Sequence, residues 1–269
     1  MRKAADRARP PSGRPPVRRA APGRDPDRAD PRLGRRRRPP TAIGAVAEEL
    51  GLRGGHLVDD TLGRFNWADA VGWPWRGLAT ETRSRLYEAS PEGPSFEPVA
   101  ASGPNGAMPH HRHGDRVIGA GDPVVLDFGA WVAGYAGDQT RTVVFGGEPP
   151  GEFVEAHEVV SEALEAGIAM VEPGVEAQAV DRAARALIED AGHGDAFIHR
   201  TGHGVGLEVH EAPYIVEGND TTLEPGMVFS VEPGVYREGA WGVRVEDLVA
   251  VTDDGAERLN GSPRGWRPL

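Results

Sequence analysis

The sequence predicts an α+β fold, and three observations in chain order carry that expectation. Strand-like pieces separated by Gly and Asn turns occupy positions 96 to 147, two helix-period patterns follow between 151 and 192, and four more strand-like pieces run from 196 to 252. Residues 1–40 precede all of this and are rich in Pro and Arg ("RPPSGRPPVRRAAPGR", "GRRRRPP"), with almost no periodic apolar positions. Such a segment cannot bury enough surface to offset its ordering entropy, so it is expected to be a disordered basic tail. Residues 41–95 read as irregular: "TAIGAVAEELGL" and "ATETRSRLYEA" offer short helical pieces, and "WADAVGWPWRG" interrupts them.

From position 96 the pattern sharpens. "FEPVAASG", "DPVVLDFGAWVAGY" and "TRTVVFGG" alternate or cluster β-branched residues as strands do. In "GEFVEAHEVVSEALEAGIAMV" the residues Val160, Leu164, Ile168 and Val171 recur at helical spacing. Val180, Ala184, Leu187 and Ile188 do the same in "EAQAVDRAARALIEDAG", and Gly174 and Gly192 stand where these helices should stop. "AFIHR", "GLEVHEAP", "GMVFSVEPGVY" and "WGVRVEDLVAVT" then read as strands.

Composition narrows the chemistry. The 269 residues include no cysteine, which excludes disulfides, thiolate metal ligands and cysteine nucleophiles, so any metal must be held by oxygen and nitrogen. No apolar run reaches membrane-spanning length, and the first thirty positions lack a signal-peptide core; a soluble, cytoplasmic chain is expected. The net charge of −11 divides unevenly: positions 1–40 hold 14 Lys and Arg against 4 Asp, and the remainder holds 16 basic against 37 acidic residues. An acidic folded part is not expected to take nucleic acid as its main partner.

The acids are also oddly placed. Asp127 ends the apolar run "VVL", Asp138 follows eleven positions later, Glu232 interrupts "MVFSVEPGV" and Glu246 interrupts "GVRVEDLVAV". An ionised carboxylate in an apolar strand costs several kcal/mol unless it is paired, hydrogen-bonded or bound to a cation. With His203 in the Gly-rich "TGHGVG", these residues make an all-oxygen-and-nitrogen set suited to divalent metal. A nucleotide-loop reading of "GHGVG" lacks the helix that must follow such a loop.

The order Asp127, Asp138, His203 in "GHGVG", His210 in "HEAP", Glu232 in "VEPG" and Glu246 in "GVRVED" closely resembles the pita-bread metallopeptidases, which include methionine aminopeptidases, Xaa-Pro aminopeptidases and prolidases. "FEPVAASGPNGAMPHH" resembles that family's substrate-side segment, and the likeness spans roughly residues 94 to 258. It implies a pita-bread fold, a pseudo-symmetric antiparallel sheet with flanking helices, as the catalytic domain over residues 96–269. It further implies Asp127, Asp138, His203, Glu232 and Glu246 as ligands of two divalent ions, manganese foremost with cobalt, iron or zinc as alternatives. Asp138 and Glu246 would bridge the ions. Glu232 would move the proton, and His110 and His210 would face the substrate. His111 and His113 read as surface residues, and Arg244 reads as a structural partner for a carboxylate, with contact to substrate as the alternative. The implied reaction is attack of a metal-activated hydroxide on the scissile carbonyl.

Within the family, "GVRVED" and the substrate-side segment resemble the Xaa-Pro branch, as aminopeptidase or dipeptidase; the expected substrate is a peptide with proline at its second position. Methionine aminopeptidase and a non-catalytic pita-bread binding protein are the alternatives, and a homodimer is left open. The material before Phe96 is short of the separate N-terminal domain usual in Xaa-Pro enzymes, so residues 41–95 are expected to be truncated or aberrant.

Overall fold

A computed structural model describes residues 59–61, 70–108 and 114–267. The basic tail and the cluster His110, His111 and His113 lie outside the described residues. Helix α1 (Trp75–Ala89) begins four residues before the short helical piece read from the sequence. Trp75, Leu78, Ala79, Thr82 and Leu86 recur every three or four residues along it and form its buried face. That face packs on Ala100, Val124, Leu126 and Phe128, from strands β1 (Val99–Ser102) and β2 (Pro123–Phe128).

After β2 the chain turns through a small hairpin, β3 (Trp131–Val132) and β4 (Tyr135–Ala136), and returns as β5 (Gln139–Val144). Strands β1, β2 and β5 form an antiparallel sheet in that order. Its register sets Asp127 opposite Thr140 and Phe128 opposite Gln139, so Asp138 falls just beyond the last pair and close to Asp127.

Helices α2 (Gly151–Ala169) and α3 (Ala177–Asp190) follow. Their buried residues Val160, Leu164, Val180, Ala184 and Ile188 share one core with Phe229, Val231, Val243 and Val249, each fully buried large aliphatic or aromatic side chain contributing about 1.5–3 kcal/mol. The remaining strands are β6 (Gly202–Gly204), β7 (Glu211–Ile215), β8 (Val228–Val231), β9 (Gly234–Arg237), β10 (Trp241–Arg244), β11 (Asp247–Val251) and β12 (Ala256–Arg258). Five of them make a sheet in the order β12-β11-β8-β6-β7, and β9 pairs with β10. No helix among the described residues is long and apolar enough to cross a membrane.

Four strand expectations are corrected. "AFIHR" is no strand but a single 3-10 turn, Gly194–Ala196, and irregular backbone after it. The carbonyls of Phe197 and His199 accept from Arg185 at 3.1 and 3.0 Å, so a side chain takes the place of a ladder. "GLEVHEAP" becomes strand only at Glu211, which leaves His210 on an exposed loop. The two long pieces each split, "GMVFSVEPGVY" at Glu232–Pro233 and "WGVRVEDLVAVT" at Val245–Glu246. Pro233 has no N–H to continue a ladder, and both glutamates therefore sit at breaks.

Candidate metal centre

Each of the five residues singled out above is delivered by a different device. Asp127 is the fifth residue of β2, and Asp138 leads directly into β5. His203 is the middle residue of β6, flanked by glycines; a Cβ on Gly202 would run into the Ser230 carbonyl, so glycine is what lets β6 approach β8 closely. Glu232 follows β8, its N–H donating to Thr201 O at 2.7 Å. Glu246 lies between β10 and β11, its N–H donating to Thr140 O at 3.1 Å.

The structure brings these side chains together. Asp138, His203 and Glu246, all buried, each offer one ligand-type atom, and the three atoms lie within 4.8 Å of one another. His203 Nε2 is 3.3 Å from Glu232 Oε1 and 3.7 Å from Asp138 Oδ2. Arg244 links the remaining acid to the group: its Nη2 donates to Asp127 Oδ2 at 2.5 Å and its Nε lies 3.8 Å from Glu232 Oε2.

The electrostatics are those of a site short of positive charge. Burial, then the charges of Glu246, Asp127 and Glu232, push the Asp138 carboxyl well above its ordinary range. Burial and then Glu232 and Asp127 do the same to Glu246, and burial raises Glu232 to about 7. His203 is pushed well down, by burial first and His210 second, and so is neutral. Its Nδ1 lies 3.2 Å from the Gly204 carbonyl, which can only accept; Nδ1 therefore carries the proton and Nε2 turns its lone pair toward the acids.

Whether these residues fit a divalent cation is answered by their unused atoms. Asp138 Oδ1 and Glu246 Oε1 are buried and accept no hydrogen bond from the described residues, although buried polar atoms are almost always satisfied. Carboxylate oxygens and one neutral imidazole are the donors such a cation takes, so the residues fit. His210, on the exposed loop, rests its ring against His203 with centroids 4.2 Å apart, which places it at the mouth of the cluster. His110 lies outside the described residues.

A sequence profile of Metallopeptidase family M24 matches residues 71–253. The chain belongs to this family. Among curated relatives of this M24 chain, it is 49% identical over 166 residues to the "Probable dipeptidase PepE" of Mycobacterium tuberculosis, covering 61% of this chain and 44% of that protein. It is 44% identical over 189 residues to the "Xaa-Pro dipeptidase" of Pyrococcus furiosus, covering 70% and 54%. The crystal structure of prolidase from Thermococcus sibiricus superimposes with a TM-score of 0.80 at 42% identity, over 84% of this chain and 64% of that one. Dipeptidase PepE from Mycobacterium ulcerans gives 0.79 at 38%, over 83% and 60%. The fold is thus the pita-bread fold, and the family implies a divalent metal. The chain spans about half the length of the curated relatives it matches.

Several residues that shape the M24 site carried little or no signal in the sequence. Thr140 donates to Glu246 Oε2 at 2.6 Å, and Ser230 donates to Glu232 Oε1 at 3.2 Å. Tyr236, its hydroxyl pushed up to about 12 by burial, accepts from Arg244 Nη1 at 3.2 Å and lies 3.0 Å from His199 Nε2. The alternation of "DQTRT" was the one available hint, because it puts Thr140 on the same side of the strand as Asp138.

Proposed function

We propose that the chain hydrolyses Xaa-Pro peptide bonds at a centre of two divalent cations, which Asp127, Asp138, His203, Glu232 and Glu246 would hold, Asp138 and Glu246 being the two that would serve both. The observation that carries this reading is the buried cluster itself, whose acids are pushed up in pKa and keep oxygens without donors. The oxygen-rich set favours manganese, ahead of cobalt, iron and zinc. When bound, such cations supply Lewis acidity, polarising a carbonyl and lowering the pKa of a water toward neutrality.

The chain's own groups manage position and protons. Ser230 fixes Glu232 through Oε1. Glu232 then takes the proton of the attacking water at its other oxygen and returns it to the departing prolyl nitrogen. His210 donates a hydrogen bond to the carbonyl oxygen as that atom gains charge, and its exposed position on His203 supports this role. His110 is assigned to the substrate side on the sequence pattern. Proline at the second position offers no N–H, so the pocket must recognise its ring rather than its backbone.

The test is metal analysis of the purified chain together with release of proline from Ala-Pro. Two ions per chain and manganese-dependent turnover are expected, with both lost in Asp138→Ala. A chain that holds no metal and leaves Ala-Pro intact overturns the proposal; cleavage of Met-Ala-Ser but not Ala-Pro transfers it to methionine aminopeptidase.

A further inference from the structure

Thr140 is fully buried in β5, two residues beyond Asp138, which directly precedes the strand. Its hydroxyl has one hydrogen and two lone pairs. Two partners compete for them: Glu246 Oε2 at 2.6 Å and Arg244 Nε at 3.0 Å. A guanidinium N–H can only donate. Arg244 therefore occupies a lone pair of Thr140, and the single hydroxyl hydrogen goes to Glu246.

The consequence falls on the plane of the Glu246 carboxylate. An ionised carboxylate has about four acceptor positions, and among the described residues no other side chain donates to this one. Thr140 fills one position on Oε2 and leaves the second there, together with both on Oε1, turned to the cluster. The link cannot drift, because the two residues are also joined through the main chain. Glu246 N–H donates to Thr140 O at 3.1 Å, and Arg141 Nη1 donates to Thr140 O at 2.8 Å and to Glu246 O at 2.5 Å. The same hydroxyl steadies Arg244, whose Nη2 holds Asp127.

We infer that Thr140 is a positioning residue: its hydroxyl sets the plane of the Glu246 carboxylate for the divalent cations and, through Arg244, couples that plane to Asp127. The inference rests on the metal-centre reading given above. It goes beyond it in assigning the orientation of the centre to a neutral side chain.

The probes are manganese(II) titrated calorimetrically and cobalt(II) followed by its visible absorption, in the full chain. Thr140→Val keeps the shape and removes the hydroxyl; it should weaken manganese binding roughly 10- to 100-fold, the range that losing an outer hydrogen-bond partner of a ligand produces, and alter the cobalt spectrum. Thr140→Ser restores the hydroxyl and should bind within about twofold of the parent and reproduce its spectrum, a rescue that a packing role would not give. Parent-like affinity and spectrum in Thr140→Val overturn the inference, as does equal impairment of the Ser and Val variants. If Thr140→Val fails to fold, Thr140→Ser decides alone, and a tenfold loss there overturns it. A parent that binds neither ion sinks the metal-centre reading as well, whereas a parent binding two ions beside an unaffected Val variant sinks only the role of Thr140.

Discussion

Glu246 and Asp247 are consecutive carboxylates, both almost wholly buried, and the molecule treats them in opposite ways. Asp247 is saturated with cations of the chain's own making. Its Oδ1 accepts from Arg141 Nη2 at 2.7 Å, and its Oδ2 accepts from Arg264 Nε at 2.6 Å with Arg258 Nε at 3.4 Å. Arg141 in turn spends all five of its N–H donors, on Asp247 and on the carbonyls of Thr140, Glu246, Ser262 and Pro263. Among the described residues Glu246 has one donor on Oε2, none on Oε1, and other acids for neighbours. A buried charge is tolerated only when compensated. Asp247 is compensated from within the sequence and rivets β5 to β11 and the C-terminal segment; Glu246 is left for something from outside.

The contrast can be broken by substitution. Asp247→Asn leaves the guanidinium of Arg141 buried without its counter-charge and should destabilise the metal-free chain by about 3–5 kcal/mol. Urea unfolding measures this, and a loss below about 1 kcal/mol would abolish the distinction. Glu246→Gln should do nearly the reverse, since it removes an acid that burial already presses toward its neutral form. Metal-free stability should hold or rise. Addition of manganese at a thousandfold excess over its dissociation constant should raise the unfolding free energy of the parent by about 4 kcal/mol and that of Glu246→Gln by nothing measurable. Equal responses would show that Glu246 is no ligand.

Legibility followed the same division. The helix-period runs around Val160 and Val180 and the apolar strand core around Val124–Leu126 were plain because burial leaves a periodic trace. Of the four acids and the imidazole, Asp127, Glu232 and Glu246 were plain because each breaks an apolar run, whereas Asp138 and His203 stood out only through their place in the family's spacing. Thr140, Ser230 and Tyr236 violate nothing: a threonine, a serine and a tyrosine are ordinary strand residues, and only the register of β5 against β2 and the break before β11 reveal what they touch. "AFIHR" misled for a related reason, since its apolar look could not show that Arg185, more than ten positions earlier, would claim its carbonyls. Helix α1 was underestimated because its buried face starts at Trp75, inside the Trp- and Gly-containing stretch that reads as a break.

A third buried group sharpens the comparison, because it is neutralised by neither a counter-charge nor a cation. His157 in α2 is buried, its Nε2 has no hydrogen-bond partner among the described residues, and burial, opposed only in part by the Thr142 backbone, lowers its pKa from the ordinary 6.5 to about 4. It stays neutral simply by declining a proton. Above about pH 6.5 neither the folded nor the unfolded chain protonates it, and its neutral form contributes full stability. As pH falls from there to about 4, the unfolded chain binds the proton and the folded chain does not, so up to about 3 kcal/mol is withdrawn over that window. His157→Gln should remove this slope whatever it does to absolute stability. Urea midpoints of the metal-free parent and variant at pH 7 and pH 4.5 read it as a difference in which the titration of the shared carboxylates cancels. If the two proteins lose stability in parallel, His157 is protonated in the fold, and its burial must be compensated by a partner as Asp247 is.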